Sequence, residues 1–98
     1  MAKRRPPAIE RAAAEMGEYF TAWRKVLGLT AAQVADRANV SRTTLRKLEH
    51  GDPTVSFETV LRVARGLGIL DSVVESIDPL RTDLGRARAG LIHRQRVR

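Results

Sequence analysis

Cysteine is absent from this 98-residue chain. That excludes disulfide frameworks, CxxC redox chemistry and cysteine-ligated zinc. Histidine is scarce as well: His50 and His93 are the whole supply, too few for a histidine cluster around a metal. No apolar run is long enough to span a bilayer, and no signal-peptide core follows Met1. The expectation is a cytoplasmic chain with no membrane partner. What remains, 43% hydrophobic and 30% charged residues, is ordinary for one soluble domain. A chain of this length builds a core with a thin margin, which a partner subunit would relieve.

Charge is unevenly spread. The net charge of +7 points to a polyanion, a property shared with ribosomal proteins and membrane-surface peptides. Residues 1–11 carry Lys3, Arg4, Arg5 and Arg11 against Glu10, and residues 79–98 carry six arginines against Asp83. Between them, residues 12–78 hold eight basic and nine acidic side chains. The excess therefore lies in two tails. By itself it supports only loose polyanion binding.

Apolar side chains at Ile9, Ala13, Met16, Phe20, Trp23 and Leu27 step by three and four, a helical stripe that predicts a core-facing helix. Pro6 and Pro7 close off a basic arm before it, and Gly28 stops it. Three caps follow. Thr30 with Gln33 forms a capping box, and Ser41 and Ser56 are further N-cap residues, each with an apolar pair placed as a hydrophobic staple. They predict helices over 30–38, 41–50 and 56–67, ended in turn by Asn39, Gly51 and Gly68. A fifth helix over 70–77 places Leu70, Val73, Val74 and Ile77 on one face, and Pro79 closes it. Leu80, Leu84, Ala87 and Leu91 keep helical spacing beyond, weakened by Gly85 and Gly90. The fold class is all-α: an arm over 1–8, a domain over 9–78 and a basic tail over 79–98.

The segment Thr30–Gly51 carries the chemistry. Two short helices meet across Ala38-Asn39-Val40, where asparagine tolerates the left-handed backbone that a tight turn needs. Ala35 is small where the helices approach, and Val34, Val40, Leu45 and Leu48 point inward. This is a helix-turn-helix arrangement, whose second helix enters the major groove. With Leu45 and Leu48 inside, Arg42, Thr43, Arg46 and Lys47 face outward. Arginine and lysine match the guanine O6 and N7 acceptors, and threonine offers a hydroxyl and a methyl. By spacing alone, base contact and a plain solvated face stand as equal readings.

The residues Arg24, Gly28-Leu29-Thr30, Val34-Ala35, Val40 through Leu45, Leu48 through Gly51, Pro53-Thr54 and Leu67-Gly68-Ile69 lie in one register. From about Trp23 to Ile69 the chain resembles the Cro and repressor helix-turn-helix family, the xenobiotic-response-element family. The resemblance implies a five-helix, lambda-repressor-like domain that binds operator DNA as a dimer. It carries base contacts onto Arg42, Thr43 and Lys47, with Arg46 nearby, and phosphate contacts onto Thr44, Thr54 and Ser56. The family's glutamine at the start of the first motif helix is Ala31 here, and Gln33 comes two residues later. Lys25, Thr30 or the N-terminal arm then supplies that phosphate contact. Arg24 and Glu49 match a structural ion pair of the family.

Other features read plainly. Ser41 is explained by capping, since nothing is placed to activate it as a nucleophile; Met16, Phe20 and Trp23 read as core; Asp71, Glu75 and Asp78 read as a solvated face. No catalytic constellation, metal site or cofactor is expected. The tail is similar to those of repressor-antitoxins encoded beside HipA-type kinase toxins, which implies dimerisation, added DNA affinity or docking on a kinase-like toxin. Arg94, Arg96 and Arg98 suit counterion release from phosphates. The sequence therefore predicts a homodimeric, sequence-specific transcriptional repressor on double-stranded DNA, nucleoid-associated when bound, with an antitoxin role. The alternatives are a phage or stand-alone repressor and a protein-only interaction module.

Overall fold

The computed structural model describes residues 4–92. Proline is tolerated at the first helical position, where its missing N–H would be unpaired anyway. The first helix, α1, accordingly starts at Pro7 and runs Pro7–Val26, earlier than apolar spacing alone placed it. Arg24 and Lys25 sit in its last turn, where cations complement the helix dipole. Gly28, at φ +70°, turns the chain out of it.

The caps shape the next three helices. Thr30 Oγ1 accepts from the Gln33 N–H at 3.1 Å while the Thr30 N–H donates to Gln33 Oε1 at 2.8 Å, a complete capping box opening α2 (Ala31–Ala38). Asn39 takes φ 56° and ψ 47°, the left-handed turn that reverses the chain into α3 (Arg42–Glu49). Ser41 caps α3 by accepting from the Thr44 N–H at 3.0 Å. Ser56 caps α4 (Phe57–Gly66) in the same way through the Thr59 N–H at 3.0 Å. A short α5 (Leu70–Glu75) follows. It stops before Ile77 because Ser76 Oγ donates back to the Val73 carbonyl and the chain opens toward Asp78. A 3-10 turn (Pro79–Arg81) and α6 (Asp83–Ala87) follow, and after a turn at Arg88 residues 89–92 are again helical; the described chain contains no strand. Gly85 in α6 suits its place, since a Cβ there would collide with the Pro79 carbonyl.

Phe20, Val34, Ala35, Ala38, Leu45, Leu48, Val63, Ala64 and Leu67 form one buried cluster. α2 packs on α3 and α4, α1 packs on α3, and α5 packs on α4. Two glycines set the spacing of these crossings. A Cβ on Gly17 would lie 2.6 Å from the Glu49 carbonyl oxygen, so α1 and the end of α3 meet backbone to backbone. Gly66 brings α4 close to Ala38 in the same manner.

The α1 stripe departs from its expected role. Phe20 is buried, but Met16 and Trp23 are 45% and 43% exposed, and Ile9 and Leu27 are exposed too. At 20 residues α1 is about 30 Å long. The helices beside it are far shorter, and α3 takes one side of it only, so the stripe outruns the core. Val74 and Ile77 are likewise exposed rather than packed, because α5 ends early and turns only Leu70 and Val73 against the core.

Candidate nucleic-acid interface

Leu45 and Leu48 anchor α3 from behind, at 1% and 5% exposure. Anchoring that face fixes the other: Arg42, Thr43, Arg46 and Lys47 are all exposed. None of their side chains makes a hydrogen bond or ion pair among the described residues. Arg42, Thr43 and Arg46 surround an open hollow of about 310 Å³. On their other side, Arg42 and Arg46 wall a larger cleft of about 480 Å³ against α1, which Glu18, Thr21, Arg24 and His50 also line. The first turn of α3 thus presents the unpaired Arg42 guanidinium and the free Thr43 hydroxyl beside backbone N–H groups that have no helical partner, and Arg46 adds a second unpaired guanidinium one turn on.

The other end of α3 is tied down. Arg24 Nε donates to Glu49 Oε2 at 2.9 Å and Arg24 Nη2 donates to Glu49 Oε1 at 3.2 Å, a two-pronged fork. A third guanidinium nitrogen reaches the Leu29 carbonyl at 3.4 Å. The side chains are only 17% and 12% exposed, and hydrogen bonding to Glu49 holds the Arg24 guanidinium more firmly protonated than usual. One arginine therefore joins α1, the link into α2 and the end of α3, which fixes the angle at which α3 leaves the body.

The candidate phosphate contacts are less uniform. Lys25 is exposed at the end of α1, and Thr30 is exposed at the start of α2, each on an element separate from α3. Thr44 Oγ1 accepts from the Ser41 hydroxyl at 2.8 Å, leaving its own proton available. Thr54 differs: its N–H and its hydroxyl both donate to Asp52 Oδ1, at 2.8 and 2.6 Å. That hydroxyl proton is already committed. The same two bonds, side chain first, hold the Asp52 carboxyl below its ordinary range, with Lys47 acting in the same direction. Ser56 Oγ serves its cap and donates to Thr59 Oγ1 at 2.9 Å. Arg94, Arg96 and Arg98 lie outside the described residues.

Sequence reasoning overlooked Gly17. A glycine inside a helix of good formers reads as a weak point, yet this one lets Glu49 approach α1 closely enough to meet Arg24. Its signal was its position one residue after Met16 on the stripe. Among the described residues, no group of three histidine, cysteine or acidic side chains could hold a metal. No described helix is long and apolar enough to cross a membrane. The family model described as a helix-turn-helix domain matches residues 15–77. Searches among curated proteins and among solved structures found no match.

Proposed function

Because this chain belongs to the helix-turn-helix domain family, a family of DNA-binding regulators, we propose that it is a sequence-specific transcriptional repressor. It acts as a homodimer on a palindromic operator. The observation that carries this reading is the outer face of α3, where Arg42, Thr43, Arg46 and Lys47 are exposed and unpaired while Leu45 and Leu48 hold the inner face. Laid in a major groove, this helix brings two or three bidentate or point-charge donors to guanine edges, each good pair discriminating by roughly 1–3 kcal/mol. Two copies read half-sites about 34 Å apart. No bond is made or broken; repression follows from occupying the promoter.

Around that helix, Lys25, Thr30 and Thr44 supply phosphate contacts from three elements. Ser56 contributes through its backbone N–H before α4, since its hydroxyl is engaged within the chain, and Thr54, whose N–H and hydroxyl both donate to Asp52, shapes the loop that approaches the phosphate. Arg94, Arg96 and Arg98 add a contact that ignores base sequence. The tail's likeness to those of repressor-antitoxins supports a second partner, a kinase-like toxin, and a cytoplasmic setting. Selection from a random duplex pool tests the core of the reading. A palindromic consensus whose half-site changes when Arg42 or Lys47 becomes alanine supports it. Recovery of no consensus, or of one indifferent to those two residues, overturns it.

A further inference from the structure

One feature of the molecule left outside the DNA reading is apolar. Met16, Tyr19, Phe20, Trp23, Ile69 and Val73 line a groove of about 160 Å³ between α1 and α5, with almost no polar atom on its walls. Tyr19 is 61% exposed there. The arm that follows α5 presents a second apolar surface: Ile77, Leu80, Leu84 and Leu91 are all exposed, Leu84 at 64%. Among the described residues, none of the arm lines the groove. The 3-10 turn and α6 pack chiefly on each other, and the described chain is correspondingly extended. Its radius of gyration is 16.5 Å, against about 13 Å for a compact domain of this length. Two apolar surfaces therefore both lack cover among the described residues.

We infer that each is the other's partner between two copies: the arm of one chain, through Ile77, Leu80 and Leu84, seats in the α1–α5 groove of a second, and the exchange is reciprocal. Two-fold pairing of this kind needs only that one surface fits the other, and it closes at two subunits. The area suffices. Half-exposed aromatic and aliphatic side chains on both surfaces, at roughly 150–250 Å² for each fully buried aromatic, together approach the ~800 Å² per partner that a stable dimer covers.

Charge adds one complementary pair. Arg81 and Arg86 are already paired with Glu75 and Asp83, which leaves Arg88 as the described arm's cation outside an ion pair, matched by an acidic residue beside the groove. Glu15, one helical turn before Tyr19, and Arg88 on the arm make no ion pair among the described residues. They are available to each other across the interface. The groove is built by α1 and α5, so its use leaves the exposed face of α3 open. The inference rests on the homodimer reading above and supplies its interface.

Trp23 is the chain's one tryptophan and it lines the groove, which makes it a reporter. The experiment takes the full chain without DNA and follows mass by light scattering and Trp23 emission across a dilution series. Dimers at high concentration, with blue-shifted emission that reverts on dilution, are expected. Leu84→Asp and Tyr19→Lys, both at exposed positions, should match the melting temperature of the wild-type chain at dilutions where it is monomeric, while each weakens dimerisation roughly tenfold or more. Mixing the two variants should recover part of the dimer, because one of the two reciprocal sites then pairs an intact arm with an intact groove. A monomer at all concentrations overturns the inference, as does a dimer indifferent to Leu84→Asp. Emission that is already blue-shifted and independent of concentration in a monomer would mean the arm or tail covers its own groove, and also overturns it. Half-site duplex binding, measured separately, reports on α3 alone and so distinguishes failure of this interface from failure of the DNA reading.

Discussion

Removing the Glu49 carboxylate should damage the fold before it touches DNA recognition. Glu49→Ala leaves the Arg24 guanidinium with only the long contact to the Leu29 carbonyl, in a site where the arginine side chain is 17% exposed. Breaking a buried pair from one side costs about 3–5 kcal/mol, and the residual solvent access here places the loss at the low end, about 3 kcal/mol. A domain of this size loses roughly 4–8 °C of melting temperature per kcal/mol. Thermal unfolding followed by circular dichroism should thus show a midpoint about 12–24 °C lower. Glu49→Gln, which can still accept one hydrogen bond, should fall between. Replacing both partners by leucine should recover most of the loss, because neither charge then needs a partner. A midpoint within about 3 °C of wild type for Glu49→Ala would refute this reasoning.

Three other predictions follow from individual residues. Gly17→Ala gains about 1 kcal/mol of helix propensity, yet its Cβ would meet backbone oxygens of Leu48 and Glu49 at 2.7 and 2.6 Å. The clash should win, with a net loss of about 1–2 kcal/mol in urea unfolding; a stabilised variant would show that α1 and α3 are not in backbone contact. Because the folded Asp52 carboxyl is held low by Thr54, its contribution is present above the ordinary value of 3.8 and lost as pH falls through the depressed one. Thr54→Val should therefore melt lower than wild type at neutral pH and converge with it in acid; a gap that widens in acid contradicts the assignment. Arg96→Ala should weaken binding to all duplexes alike and reduce the slope of log affinity against log salt by about 1, whereas a change confined to the operator would make it a base contact.

Much of the fold was legible because helix boundaries are local chemistry. Thr30, Ser41 and Ser56 each cap through a hydroxyl three residues from its donor, and Asn39, Gly28, Gly51 and Gly68 take the left-handed conformations that end helices. Periodicity misled where it was asked a non-local question. The α1 stripe shows that Met16, Phe20 and Trp23 share a face, but whether anything covers that face depends on the lengths of other helices. The outward orientation of Arg42, Arg46 and Lys47 was readable because Leu45 and Leu48 leave α3 only one way to pack. The commitment of the Thr54 hydroxyl to Asp52 was not, since it depends on how the loop between α3 and α4 closes.

One comparison tests base reading by α3 most directly: affinity for the selected operator against a scrambled duplex of equal length at fixed salt, for wild type and for Arg42→Ala. The preference should fall by roughly tenfold to a hundredfold in the variant, the equivalent of about 1–3 kcal/mol at one base pair, with binding to the scrambled duplex much less affected. Equal losses on both duplexes would make Arg42 a phosphate contact, and no loss on either would remove α3 from the interface.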